Sequence, residues 1–417
     1  MTACVTMQEE IEQLDLAYGR SGRFKADLLS RQLMSHFPAP PAIAESEAAI
    51  QAAFDQPVDF PRVEDSILPD DKIVVVIDLD TPSADRIFAE LWRRLEHIGV
   101  VPENVTVIQP AVWKQRDGVD PRQKLSKELQ ERMPLTRHDP TEEGSCAYLA
   151  STAGGERVYL SRLLTEADVV MTVGPVEYDP VLGVRGTASS LYPGLSDLDA
   201  LKRVQGQGHE ELSPNDARPI RQIVDEIGWL LGLQISIAVI PSSGKSAHQI
   251  LVGQADAVLK SARAELNSRW TVRSDERAEL VLVTVTADAS GHGWDQVAAA
   301  IDAARRLVER NGRIVVLSEL DAAPGPGLEI LKTVREPRDA LRPIKKANPP
   351  DLVAATRIAA AADWANVSLL SRLPPSDVSD LFMLPLESEE EVRRLLQQED
   401  LTAVIESAQH YFVQSGI

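Results

Sequence analysis

The stretch VGPVEYDPVLGVRGTASSLYPG, residues 173 to 194, is the most unusual in the chain. It holds two carboxylates, Glu177 and Asp179, and one guanidinium, Arg185, with Gly183 and Gly186 beside it and a Thr-Ala-Ser-Ser run that includes Ser189. Glycines and small hydroxyl residues let backbone amides approach an anion closely, and an arginine pairs with a carboxylate or a phosphate. An ordinary glycine-rich loop with surface charges has the same composition, so the loop by itself names no ligand. Asp78 and Asp80 stand two residues apart at the end of an apolar run, where strand alternation sends both side chains to one face. Such a pair can bind a metal or do acid-base work, and capping or turn formation before Ser83 explains an aspartate there equally well.

Other candidates carry less. PSSGKS (241 to 246) contains Gly-Lys-Ser, but a phosphate loop needs a glycine at position 239, where the chain has Val239, and a helix to follow. SAHQILVG reads instead as a second strand, making the segment a hairpin turn with Gly244 in the positive-φ position. None of the seven histidines pairs with another at metal-site spacing, so His138 and His292 read as structural and no metal ligand is assigned. Cys4 and Cys146 are too few and too far apart for a disulfide framework or a thiolate metal site.

The elements that must position these residues are short apolar runs at 72–80, 104–110, 167–174, 234–241, 278–286 and 312–320. Apolar residues at successive positions predict strands buried on both faces, as in parallel sheets covered by helices. Helical patterns at 83–99 and 294–312 lie between them, each closed by glycine. The alternation predicts an α/β fold of mostly parallel sheets, with ligands beyond the carboxyl ends of the strands. At 417 residues the chain exceeds one core of roughly 150 residues. A charged stretch at 260–279 places a boundary near residue 272, giving domains 1–272 and 273–417 with the ligand cleft between them.

A formal net charge of -20 repels phosphate backbones and anionic lipid, which argues against nucleic-acid or membrane binding. No apolar run approaches the roughly 20 residues that span a bilayer. Glu9, Glu10, Glu12 and Asp15 stand where a signal peptide would be basic and then apolar, and the two cysteines suit a reducing cytoplasm.

Read in order, AYGR (17–20), LPDDKIVVVIDLDTPSAD, GVVPENVTVI, LTRHDP, YLSRLLTEADVVMTVGPVE, LYPG and LSRLPP (370–375) resemble the nickel-dependent lactate racemase family over nearly the whole chain. The resemblance implies a two-domain α/β fold, interconversion of D and L 2-hydroxyacids, and a nickel pincer nucleotide derived from nicotinic acid. It places Asp78, Asp80, Thr81, Glu177, Gly183, Arg185, Gly186 and Ser189 on the cofactor-binding side of the cleft. The family's Asp-x-Thr-Arg-Pro appears with Thr81 in place of the arginine. Lys114 stands near the first catalytic histidine, Asp179 at the second, Ser189 at the cofactor-tethering lysine and Gln205 near the nickel-ligating histidine. SGHGWDQ resembles the family's Gly-Tyr-Pro-x-Asp-Gln.

Racemisation by the family needs a base on each face of the substrate carbon and a nickel-carbon centre that accepts hydride. Lys114 and Asp179 are the groups left to replace the two bases. The expectation is therefore a divergent member whose ancestral 2-hydroxyacid racemisation or epimerisation is altered or lost, with a small carboxylate or hydroxyacid as ligand. The alternatives are a non-catalytic member that binds a small anion or a partner protein, and a different enzyme acting on a carboxylate in the same cleft.

Overall fold

In the computed structural model, which describes residues 10–43, 47–111, 120–204, 213–289, 291–398 and 400–415, each long apolar run becomes a buried strand. Ile73–Ile77, IVVVI, has all five side chains buried. Its alternate residues serve opposite faces of the sheet. Ile73, Val75 and Ile77 pack with Phe88, Leu91 and Leu95 of the helix Ala84–His97, whereas Val74 and Val76 pack with Ile220, Val224 and Ile227 of the helix Pro219–Leu231. A strand coated on both sides cannot alternate polar with apolar, which is why the run is continuous.

The chain forms two units. One comprises Pro40–Trp270 with Asp288–Gly291; the other gathers the chain before Pro40, Thr271–Ala287 and His292–Ile417. The division expected at residue 272 gave each domain one continuous segment. Here the first 39 residues fall with the C-terminal half, because Leu33–Phe37 pairs with Thr402–Ile405.

The six-stranded sheet of the first unit runs, in spatial order, Ala247–Gln254, Ile235–Pro241, Val169–Pro175, Ile73–Ile77, Val105–Gln109, Leu135–Arg137. All neighbours are parallel except the hairpin pair at 235–254. The turn of that hairpin places Gly244 at φ +65, as the Pro-Ser-Ser-Gly-Lys sequence predicts. The sheet of the other unit runs Leu384–Leu386, Asn366–Leu370, Val308–Leu317, Ala278–Thr284, Thr402–Ile405, Leu33–Phe37, and is parallel throughout. Leu280, Leu282, Val315 and Leu317 on one face pack with Leu14, Leu16, Phe24 and Leu28 of the hairpin Ile11–Tyr18 and Gly22–Leu29. Val281, Val283, Ile314 and Val316 on the other meet the helices Trp294–Leu307 and Leu352–Trp364. Among the described residues no helix is long and apolar enough to cross a membrane.

The helical pattern at 294–312 is cut short. The helix stops at Leu307 and the strand begins at Val308. β-Branched Val308 favours the extended conformation, and a bulge absorbs the residues up to Arg313, with Asn311 at φ +63. On the same helix Asp302, 8% exposed, receives Arg305 at 2.7 Å and Arg306 at 3.1 Å, with Arg357 at 3.9 Å. Burial alone would raise its pKa, but Arg357, Arg306 and Arg305 outweigh that and hold it below 3.8. Its contribution to stability is thus present at neutral pH and lost as pH falls through the depressed value. Asp302→Asn leaves three buried or half-buried guanidiniums without their carboxylate. It is expected to cost about 3 kcal/mol, read as a lower urea midpoint at pH 7; an unchanged midpoint would count against the cluster.

Candidate functional site

Beyond the carboxyl end of Val169–Pro175 the chain turns back on itself as a short antiparallel hairpin, Glu177–Asp179 against Gly183–Arg185. The register sets Glu177 directly opposite Arg185, and opposed residues project from the same face. Their side chains meet at 3.0 Å, Arg185 Nη2 donating to Glu177 Oε2. The same Nη2 donates to Asp80 Oδ2 at 2.9 Å, and Nη1 lies 3.8 Å from Asp78 Oδ2. Sequence reasoning brought Asp78 and Asp80 together by strand pleating. The structure does so by a turn: the strand ends at Ile77, and Asp78 Oδ1 accepts the Asp80 N–H at 3.1 Å.

One guanidinium, 21% exposed, thus faces carboxylates that are 17–20% exposed. Burial pushes Glu177 up to about 7; Arg185 opposes the rise and Asp80 adds to it. Burial works against the charge on Arg185, but Glu177, Asp80 and Asp78 outweigh it and hold the guanidinium firmly protonated.

The remaining expected residues are placed as follows. Asp179 closes the hairpin turn, its Oδ1 accepting the N–H groups of Val181 at 2.8 Å and Leu182 at 2.7 Å. Thr81 is buried and donates its hydroxyl to the Asp78 carbonyl at 2.6 Å. Ser189 accepts the Gly186 N–H at 2.7 Å. Gly183 and Gly186 have positive φ, +77 and +148. A Cβ on Gly183 would fall 2.4 Å from the Pro214 carbonyl oxygen, and one on Gly186 2.7 Å from Val176 Cγ2, so both serve close packing within the protein. Lys114, Gln205 and His209 lie outside the described residues. His138 is buried, with Nε2 2.9 Å from the Ser196 carbonyl, and His292 is held by Ser318 at 2.8 Å; both are structural in their contacts. Among the described residues no group of His, Cys, Asp and Glu is arranged to hold a metal ion.

Beside the cluster lies a cavity of about 260 Å³, bordered by Asp78, Thr81, Arg86, Gln109, Lys124 and Lys245. Arg86, Gln109 and Lys124 were not singled out from sequence, and Lys245 was met only in the Gly-Lys-Ser read as a hairpin turn. Gln109 ends a strand and Lys245 sits in the hairpin turn, and the rule that ligands lie beyond strand carboxyl ends was the available signal for both.

Residues 18–210 match the family model described as the lactate racemase N-terminal domain. That segment, a little under half of the chain, is where the sequence matches the lactate racemase family. The fold of the chain is similar to that of the lactate racemase apoprotein from Thermoanaerobacterium thermosaccharolyticum, with a TM-score of 0.79 at 16% identity, covering 97% of this chain and 100% of that one. A structural-genomics structure of a protein from Thermotoga maritima is similar with a TM-score of 0.65 at 13% identity, over 89% of this chain and 98% of that one. No curated protein matches by sequence. At these identities the structural likeness concerns the lactate racemase fold alone.

Arg185→Leu leaves Asp78, Asp80 and Glu177 facing one another without a cation, and is expected to cost about 3–5 kcal/mol at pH 8. The loss should shrink toward pH 5, and a loss independent of pH would argue against the cluster. Glu177 has a separate signature. Its pKa is raised from 4.5 to about 7 on folding, so its contribution to stability is full below 4.5 and disappears as pH rises through 7. Glu177→Gln should therefore gain in urea midpoint relative to the parent between pH 5 and pH 8; parallel curves would contradict the raised value.

Proposed function

We propose that this chain is a lactate racemase family member that holds a small carboxylate or hydroxyacid without a tethered cofactor, its ancestral racemisation lost. The single observation behind this is Ser189. An amide-type tether to the nickel pincer nucleotide requires a primary amine at that position. The serine hydroxyl supplies none, and it is already engaged by the Gly186 amide at 2.7 Å. The residues present therefore do not fit the cofactor, and no catalytic step is derived through it.

Two further features support the reading. Asp179, at a base position, has one carboxylate oxygen engaged by two backbone amides, which suits a hairpin turn. Thr81, at the arginine position, turns its hydroxyl to the backbone. Meanwhile the glycines and Glu177 that shape the loop stand in register with the family pattern, and a cavity lies at the carboxyl end of the sheet. The scaffold of a ligand site persists without the groups of the family's reaction.

The decisive test is to produce the full chain beside the enzymes that build the cofactor, then measure intact mass, nickel content and the enantiomer ratio of added lactate. The expected results are the unmodified mass, nickel far below one per chain and an unchanged ratio. A cofactor adduct with one nickel per chain would overturn the proposal.

A further inference from the structure

We propose that the cavity beyond Ile73–Ile77 and Val105–Gln109 grips the anionic group of a small ligand through Lys124, Lys245 and the Gln109 carboxamide, and not through Arg185. This assignment rests on the preceding proposal that the chain holds a small ligand without a covalent tether. Arg185 was the natural anion receptor from sequence, but its guanidinium is shared among Asp78, Asp80 and Glu177, and that surplus of negative charge repels a second carboxylate.

Three cations border the neighbouring cavity, each from a different element. Arg86 comes from the first turn of Ala84–His97, Lys124 from the segment before the helix Lys127–Arg132, and Lys245 from the hairpin turn after Ile235–Pro241. In a chain of net charge -20 such convergence is not what the average surface offers. The carboxylates in the same wall are already engaged. Asp78 accepts the Asp80 amide and lies beside Arg185, while Asp85 accepts Gln123 Nε2 at 2.7 Å and the Arg86 N–H at 2.9 Å.

Gln109 is 5% exposed and borders the cavity, where its carboxamide N–H groups can donate to a ligand oxygen. The same cavity meets the amino end of Ala84–His97, which Ser83, at φ +55, does not cap with its side chain, so the positive end of the helix adds to the field. A volume of about 260 Å³ lies below the roughly 300–1,000 Å³ of sites for drug-sized molecules, which points to a ligand of a few carbons.

Titration calorimetry of the full chain at low ionic strength, with inorganic phosphate, glycolate, D-lactate and L-lactate as probes, tests the site and separates phosphate from carboxylate ligands. At least one probe should bind, and added chloride should weaken it. The double variant Lys124→Ala/Lys245→Ala, altering exposed side chains, should weaken binding at least tenfold, as should Gln109→Leu if its melting temperature shows it folded. Lys127→Ala, on the adjacent helix and outside the cavity, should bind as the parent does. Absence of binding by every probe, or full affinity in the double variant, overturns the assignment. A cofactor adduct in the mass spectrum beside lysine-dependent anion binding would defeat the tether-free proposal and leave this site standing. No adduct and no anion binding would defeat this site and leave the loss of the tether standing.

Discussion

The guanidinium of Arg185 ties two pieces of backbone together. Glu177 reaches it across the hairpin register, while Asp78 and Asp80 reach it from the turn that ends the neighbouring strand. Three carboxylates around one cation cannot all be ionised comfortably at partial burial, and the strain falls on Glu177, whose proton is held to about 7. Remove the guanidinium and the turn, the hairpin and the cavity wall formed by Asp78 lose their common anchor. The arrangement is therefore structural first. Its consequence for binding is indirect: it neutralises part of the Asp78 charge and leaves the adjoining cations to dominate the cavity.

Much of this fold is legible in the sequence because burial on both faces of a parallel strand admits only apolar residues. Runs such as IVVVI and ISIAVIP thus announce themselves, and the Gly244 turn declares its hairpin. The end of the helix at Leu307 was not legible, since Arg-Arg-Leu-Val continues an amphipathic pattern and only the bulge in the next strand breaks it. The N-terminal segment was misjudged for a related reason. Strand partners are chosen by three-dimensional proximity, so nothing in Leu33–Phe37 signals that its neighbour is Thr402–Ile405.

At the site, the structure shows contacts that residue type and spacing do not give. Asp78, Asp80, Glu177 and Arg185 do converge, yet on one another. Residue type and spacing cannot distinguish an arginine waiting for a ligand from one satisfied by its own chain. Nor could they reveal Lys124 and Lys245, which lie 121 positions apart in the chain and border one cavity. The loop geometry has a packing reason of its own: Gly183 and Gly186 are needed by Pro214 and Val176 whatever the site does.

The pairing of Leu33–Phe37 with Thr402–Ile405 has a consequence for biosynthesis. The unit that contains it is interrupted by the whole of Pro40–Trp270, so that unit's first strand leaves the ribosome hundreds of residues before its sheet neighbour. During that interval the intervening unit has all its own strands and can fold, while the leading hairpin waits with its apolar face uncovered. A fragment beginning at residue 271 would lack an edge strand and the hairpin that covers Leu280 and Val315. That sheet is thus an assembly of segments far apart in the chain, closed only once Thr402–Ile405 has been made.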